Sequence, residues 1–353
     1  DAWAAVLALL DDDDVLPRGR PEADILGGVG VGHPVPGVVD VMEDVVLGQT
    51  VHRDFDAQFG GEGQLESALP QRQNVRVVIG DDGVLATHFG DDVLEGLGGL
   101  RRGARAGGAR VTPDRLDNPR GGYVNYGNRD YGVINAYEAI RSSVNVYFVR
   151  LIERVGVINA AKMAETLGIT SIPTDQLVGR EASLALGAYE VSPLEMANAY
   201  SAFMGGGVLC QPVTVIKAVR TGTKEELPVP DPNCHQAIDE DIADTVADVL
   251  KEPFKRTGTL GPRLRPEGRE AGAKTGTTND FAANWIVGGT PQLVAAVWLG
   301  DPRGGAQYPL TRLEAYGNTY RDLTGSEVAG PVWQDTMEGA LKGEKKVRLP
   351  DAP

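Results

Sequence analysis

The sequence predicts a mixed α/β fold of the α+β kind, helices against an antiparallel sheet, over its C-terminal two thirds. Three observations predict it. From about residue 123 the chain carries helical apolar period with matching caps and stops, which is the pattern of helices that bury one face. Between residues 272 and 299 short apolar segments separated by turn residues replace that period, as strands do. A last helical stretch follows Pro331 and is placed to return onto the sheet, giving two layers.

The elements follow in order. Residues 132–141 and 145–155 read as two helices with a break at 142–145; Phe148, Leu151, Ile152 and Val155 form one stripe of the second. Residues 160–167 form a further helix stopped by Gly168. Ser192-Pro193-Leu194-Glu195 is a capping box with Pro at the first helical position, and its helix stops at 205–207. Residues 213–220 read as a strand and 239–252 as a helix. Residues 272–278, 283–289 and 292–299 read as strands, the last two joined through Thr290-Pro291 as a hairpin, and 332–341 as the final helix. Upstream, Val41-Met-Glu-Asp-Val-Val-Leu47 and residues 75–79 could be strands, but glycine interrupts nearly every apolar run and no element is placed with assurance.

Composition narrows the function classes. The chain has 353 residues, 34 Lys+Arg against 49 Asp+Glu and a formal charge of −15, so a phosphate backbone is repelled and nucleic acid is not an expected partner. No run approaches the about 18 consecutive apolar residues of a membrane span, so no membrane segment is expected. Four His and two Cys offer no metal-ligand spacing, and neither metal nor other cofactor is expected. The charge is uneven. Residues 1–110 hold 19 acidic and 9 basic side chains, a net of −10, and 49 of those 110 residues are Gly, Val or Asp. The first lysine of the chain is Lys162. This divides it into 1–115, unassigned; 116–345, a folded domain; and 346–353, a tail.

The most specific short string is Lys274-Thr275-Gly276-Thr277-Thr278 on the first late strand. A Lys-Thr-Gly arises by chance in about one chain in ten of this length, whereas a Ser-x-Asn such as Ser143-Val144-Asn145 arises roughly once in each. Alone, Ser143 and Asn145 prove nothing and read first as helix-capping residues. A phosphate loop at 268–275 is disfavoured, because Ala273 intrudes before Lys274 and a hairpin follows where that motif needs a helix.

Taken together with Asn125-Tyr126-Gly127, Tyr131-Gly132, Ala185-Leu186-Gly187, Glu190 through Ala197, Trp285-Ile286-Val287-Gly288, Val297-Trp298-Leu299-Gly300 and Gly330-Pro331-Val332-Trp333, these strings resemble the transpeptidase domain of class A penicillin-binding proteins, in an actinobacterial-like form, over about 220 residues. The resemblance implies the fold shared by penicillin-binding proteins and serine β-lactamases. It implies D,D-transpeptidation of peptidoglycan, an acyl transfer that needs a serine nucleophile, a proton carrier, oxyanion donors and a grip on the substrate carboxylate. By that resemblance Ser143 relays protons to the leaving group, and Asn145 binds the donor peptide's amide and holds the catalytic lysine. Lys274 supplies positive potential, Thr275 and Thr277 bind the carboxylate with Thr278 beside them, Gly276 lets the strand approach the ligand, and the Thr277 amide is half of an oxyanion hole. The implied partners are stem peptides, β-lactams, and cell-wall or division proteins. The implied location is extracytoplasmic, on the cell-wall side of the plasma membrane.

The family's nucleophile lies in Ser-x-x-Lys, and no such string occurs in this sequence; Ser67 is followed by Ala-Leu-Pro. Thr214-Val-Ile-Lys217 has a similar outline, but Lys217 reads as a structural sheet residue. The nucleophile is therefore unknown, and the chain as written is expected to be inactive. The alternative function is a noncatalytic stem-peptide-binding or scaffold pseudoenzyme. The departure itself fits a degenerate pseudoenzyme, a natural domain replacement, or a first 115 residues read in a wrong frame; the lysine-free Gly/Val/Asp/Arg composition favours the last. Cys210 and Cys234, 24 apart, are expected to form a disulfide, as paired cysteines do in similar actinobacterial proteins.

Overall fold

A computed structural model describes residues 76–77, 108–112, 116–117, 121–303, 307–315, 317–321 and 323–353. They fall in one of the two units into which the chain divides; the other, Asp14–Leu69, lies outside the described residues. So does the run 41–47, and most of the unassigned region 1–115.

Among the described residues the central sheet has four strands in the order β1-β10-β9-β8. β8 (Gly272–Thr277), β9 (Ala283–Thr290) and β10 (Leu293–Gly300) form an antiparallel meander with register Lys274↔Val287 and Thr290↔Leu293. Pro291 and Gln292 make the tight connection, one residue later than the Thr290-Pro291 turn expected, because Thr290 still pairs with Leu293. β1 (Arg76–Val77) pairs parallel with the start of β10, inside the upstream run 75–79. Five successive residues, Leu293–Val297, are buried, so both faces of β10 are covered. Four two-stranded ribbons complete the β structure: β2 (Arg110–Val111) with β3 (Tyr123–Val124), β4 (Val208–Leu209) with β7 (His235–Gln236), β5 (Ala218–Val219) with β6 (Glu226–Leu227), and β11 (Leu313–Ala315) with β12 (Asn318–Tyr320).

Helix α1 (Ala136–Ser142) starts four residues later than the sequence pattern suggests. Asn135 and Glu138 form a reciprocal capping box, which satisfies the first free amides there, and Gly132 has φ +67°. α2 (Asn145–Val155) buries the predicted stripe and also Val146, Tyr147 and Val149. α3 (Val157–Thr166) begins directly after Gly156, three residues earlier than expected. The Ser192–Glu195 box caps α4 (Pro193–Met204) as read. α5 (Glu240–Leu250) is followed by a 3₁₀ turn, Glu252–Phe254, enforced by Pro253. α6 (Ala329–Ala340) starts two residues before Pro331, which its first turn tolerates because amides there need no partner.

The strand expected at 213–220 is corrected: only Ala218 and Val219 pair, and Ile216 is largely exposed. Its remaining residues, 213–217 and 220, find no strand partner among the described residues. Lys217, expected as a sheet residue, lies just before β5 outside the ladder, where it pairs with Glu226. Cys210 follows β4 and Cys234 precedes β7, and the two are bonded with Cα atoms 3.9 Å apart.

α4 and α6 pack on β9 and β10, and α5 packs on β8. Trp333 of α6, fully buried, donates its indole N–H to Gly288 O (3.2 Å) and Ala295 O (3.1 Å), and Phe254 stacks on it. Arg269 donates to the carbonyls of Leu341, Glu344 and Lys345 beyond α6, where a cation meets the negative end of the helix.

Candidate active site

The site forms where α1 ends beside β8, the edge strand of the sheet among the described residues. Thr278 N–H donates to Ala283 O (3.0 Å). With the antiparallel register, this places the even-numbered residues of β8 in the bonded pairs with β9 and turns the N–H and C=O of Thr275 and Thr277 to the outer edge. Lys274 shares a face with Gly272, where an added Cβ would meet Met204 of α4 and Leu250 of α5. The lysine therefore extends under the helices rather than into water.

Lys274 is fully buried. Its ammonium donates to Ser143 Oγ (2.8 Å) and to Thr275 O (2.6 Å), across 131 residues of sequence in the first case. Burial pulls the amine down to about 7, so that it is divided between charged and neutral forms near neutrality. A lysine in that state can both hold positive potential and carry a proton.

Ser143 occupies the left-handed region, φ 52° and ψ 56°, as the residue that ends α1. Its N–H donates to Ile140 O, and the bend aims its side chain at Lys274. Asn145 is the first residue of α2, and its amide nitrogen donates to Val124 O of β3 (3.0 Å). The structure thus joins Ser143 to Lys274 directly and ties Asn145 to the neighbouring ribbon. Thr275 is buried with its hydroxyl 3.5 Å from Thr259 Oγ1. Thr277 Oγ1 accepts from Gly325 N–H (3.1 Å) and approaches Asn284 Oδ1 (3.4 Å). Gly325 must be glycine for this approach, because a Cβ there would lie 2.3 Å from Trp285 O and 2.8 Å from Gly276 O. Thr278 closes the β8–β9 connection, its hydroxyl accepting from Ala283 N–H (2.8 Å).

Four residues here carried no role in the sequence reading. Asn125, only 2% exposed, accepts from Val146 N–H (3.0 Å) and donates to Gly108 O and Arg129 O. It caps α2 from 21 residues away, and Val144, at the cap position, cannot. Its string Asn125-Tyr126-Gly127 was visible, but its partner was not. Thr259 donates its N–H to Arg141 O (3.0 Å), next to Ser143. Asn284 lies buried opposite Thr277 with its amide nitrogen unpartnered. Glu252, buried, takes Arg141 of α1.

The penicillin-binding protein transpeptidase domain model matches residues 112–310. The chain belongs to that family. Penicillin-binding protein 1A of Clostridium botulinum is 35% identical over 175 residues, 48% of this chain and 20% of that protein. The Neisseria lactamica protein of the same name is 31% identical over 234 residues, 64% of this chain and 27% of its own. The chain thus spans under a third of the length of these relatives. Among solved structures, penicillin-binding protein PonA1 of Mycobacterium tuberculosis has 27% identity and TM-score 0.57, covering 72% of this chain and 73% of that one. PonA1 in complex with penicillin V gives 26% and 0.58, covering 76% and 72%. The expected family and its mixed helix and antiparallel-sheet fold stand.

Proposed function

We propose that the groove at the outer edge of β8 is a peptidoglycan D,D-transpeptidase and β-lactam recognition site. The observation that carries this reading is the 2.8 Å contact between Lys274 Nζ and Ser143 Oγ. It makes a proton path between a hydroxyl and an amine poised near neutrality, as acyl transfer to an amine requires. In the family's reaction, once a serine nucleophile attacks, Ser143 would relay the proton to the leaving amine and Lys274 would supply positive potential and exchange that proton. Asn145, held on Val124 O, presents its remaining amide capacity to the donor peptide. The Thr277 N–H, turned to the outer edge of β8, serves the oxyanion; Thr275 and Thr277 serve the substrate carboxylate, which requires the Thr277 hydroxyl to exchange its present neighbours for the ligand.

The sequence has no Ser-x-x-Lys, and we infer that it recognises the ligand without being acylated. Ser143 is a poor substitute nucleophile because its own N–H is engaged with Ile140 O and cannot serve an oxyanion. Removing the nucleophile of such a coupled group costs about 10⁶ in turnover. The disulfide and the family's substrate support an extracytoplasmic location at the cell wall.

Incubation with a fluorescent penicillin tests both parts. The expected result is reversible occupancy, competed by a D-Ala-D-Ala peptide, with no label surviving denaturation. Covalent label mapped by peptide mass to any serine would overturn the inactivity. Absence of any penicillin or peptide binding would overturn the recognition reading, leaving a scaffold role of the noncatalytic kind.

A further inference from the structure

Ser143 lies one residue past the end of α1, so its place is set by where that short helix ends. Arg141, in the last turn, donates Nε to Glu252 Oε2 at 2.6 Å and pairs with the same oxygen through Nη2, while Lys255 pairs with Oε1. The Glu252 side chain is 4% exposed, whereas those of Arg141 and Lys255 are 29% and 58% exposed. The carboxylate is thus the buried hub of the three, and it belongs to the Glu252–Phe254 turn, which Phe254 anchors on buried Trp333. A second link ties the same helix end to the same stretch of chain, since Thr259 N–H donates to Arg141 O.

A buried ion pair adds little net stability but penalises every arrangement that leaves one charge unpaired, so it selects geometry. Here the geometry selected is that of the helix end carrying Ser143. We propose that Glu252 is a positioning residue, which through Arg141 fixes the end of α1 and so holds Ser143 Oγ against Lys274 Nζ. The polar partners of the Glu252 carboxylate are Arg141 and Lys255, so it acts on Ser143 and Lys274 only through them. The inference rests on the reading that Ser143 and Lys274 are the working pair, but its test reads their contact directly and does not depend on whether the groove takes penicillin.

The test is a double-mutant cycle on the full chain, with the Lys274 ammonium titration followed by NMR of the lysine side-chain nitrogens. In the native background Ser143→Ala removes an acceptor for the charged amine and lowers its midpoint by about 0.5 to 1 in pH. In the Glu252→Gln background the contact is already loosened, and Ser143→Ala is expected to move the midpoint by less than half as much. Lys255→Ala removes the other partner of Glu252 and is expected to leave the full Ser143→Ala response, which a general loss of packing would not. Glu252→Asp should restore part of the response. Should Glu252→Gln fail to fold, Arg141→Lys keeps the charge but loses the two-pronged contact, and the same halving is expected there. Equal Ser143→Ala responses in native and Glu252→Gln or Arg141→Lys chains would overturn the proposal.

Discussion

Replacing Lys274 by methionine should flatten the alkaline pH dependence of stability. Methionine keeps an unbranched chain of similar length and removes the amine. In the unfolded chain that amine titrates near ~10.4; buried beside Ser143 it titrates at about 7. The folded value lies below the unfolded one, so between pH 7 and about 10 the unfolded chain binds more protons and stability rises with pH. The penalty of burying the charged amine is fully present below pH 7 and disappears above about pH 10.4. From pH 7 to pH 9 the linkage amounts to ~2 kcal/mol. Lys274→Met lacks this contribution, so its stability relative to the native chain should fall by ~2 kcal/mol over that interval. Every other titrating group is common to both chains and cancels. Urea denaturation followed by circular dichroism at pH 7, 8 and 9 and constant ionic strength measures it, and both cysteines are in the disulfide, so alkaline thiol exchange has no free thiol to start from. A difference that stays constant within ~0.5 kcal/mol across the interval would show that the amine is solvated in the folded state and refute the reasoning.

Asn125→Leu should destabilise by ~2–3 kcal/mol in the same assay, because it leaves the Val146 amide at the start of α2 and the Gly108 and Arg129 carbonyls without their partner. Glu195 carries the α4 cap and also accepts from Thr170 and Ser171. Burial raises its pKa, but the hydrogen bonds from Ser192, Thr170 and Ser171 outweigh this and hold it below the usual carboxylate range. Its contribution is therefore present above the unfolded value of ~4.3 and lost as the pH falls through the folded one, so Glu195→Gln should show a shallower acid-side loss of stability than the native chain. Opening the link between Cys210 and Cys234, 24 residues apart, by Cys210→Ser with Cys234→Ser should cost at most ~3.5 kcal/mol, read as a lower urea midpoint, and should leave penicillin occupancy unchanged because the disulfide lies beside the β4–β7 ribbon and not at β8.

Much of this protein was legible in the sequence, for a physical reason. The Ser192–Glu195 cap, the hairpin turn about Pro291, to within one residue, and the stripe of α2 depend on groups within a few residues of one another, so local spacing specifies them. The strings around Ser143, Asn145 and Lys274 pointed to the family and to the pair that the fold joins. Only the tertiary structure decided the rest. In the segment 213–220 only Ala218 and Val219 have a strand partner among the described residues, and a strand exists only where a partner completes its ladder. Asn125 reads as an ordinary turn residue until α2 is brought to it. Glu252 reads as one acidic residue among 49 until the fold buries it against Arg141. Lys274 is marked as a site residue by its Lys-Thr-Gly string, but its burial, which brings it near neutrality, comes only from packing beneath the helices. Burial and contacts between distant segments are properties of the packed chain, and no local pattern carries them.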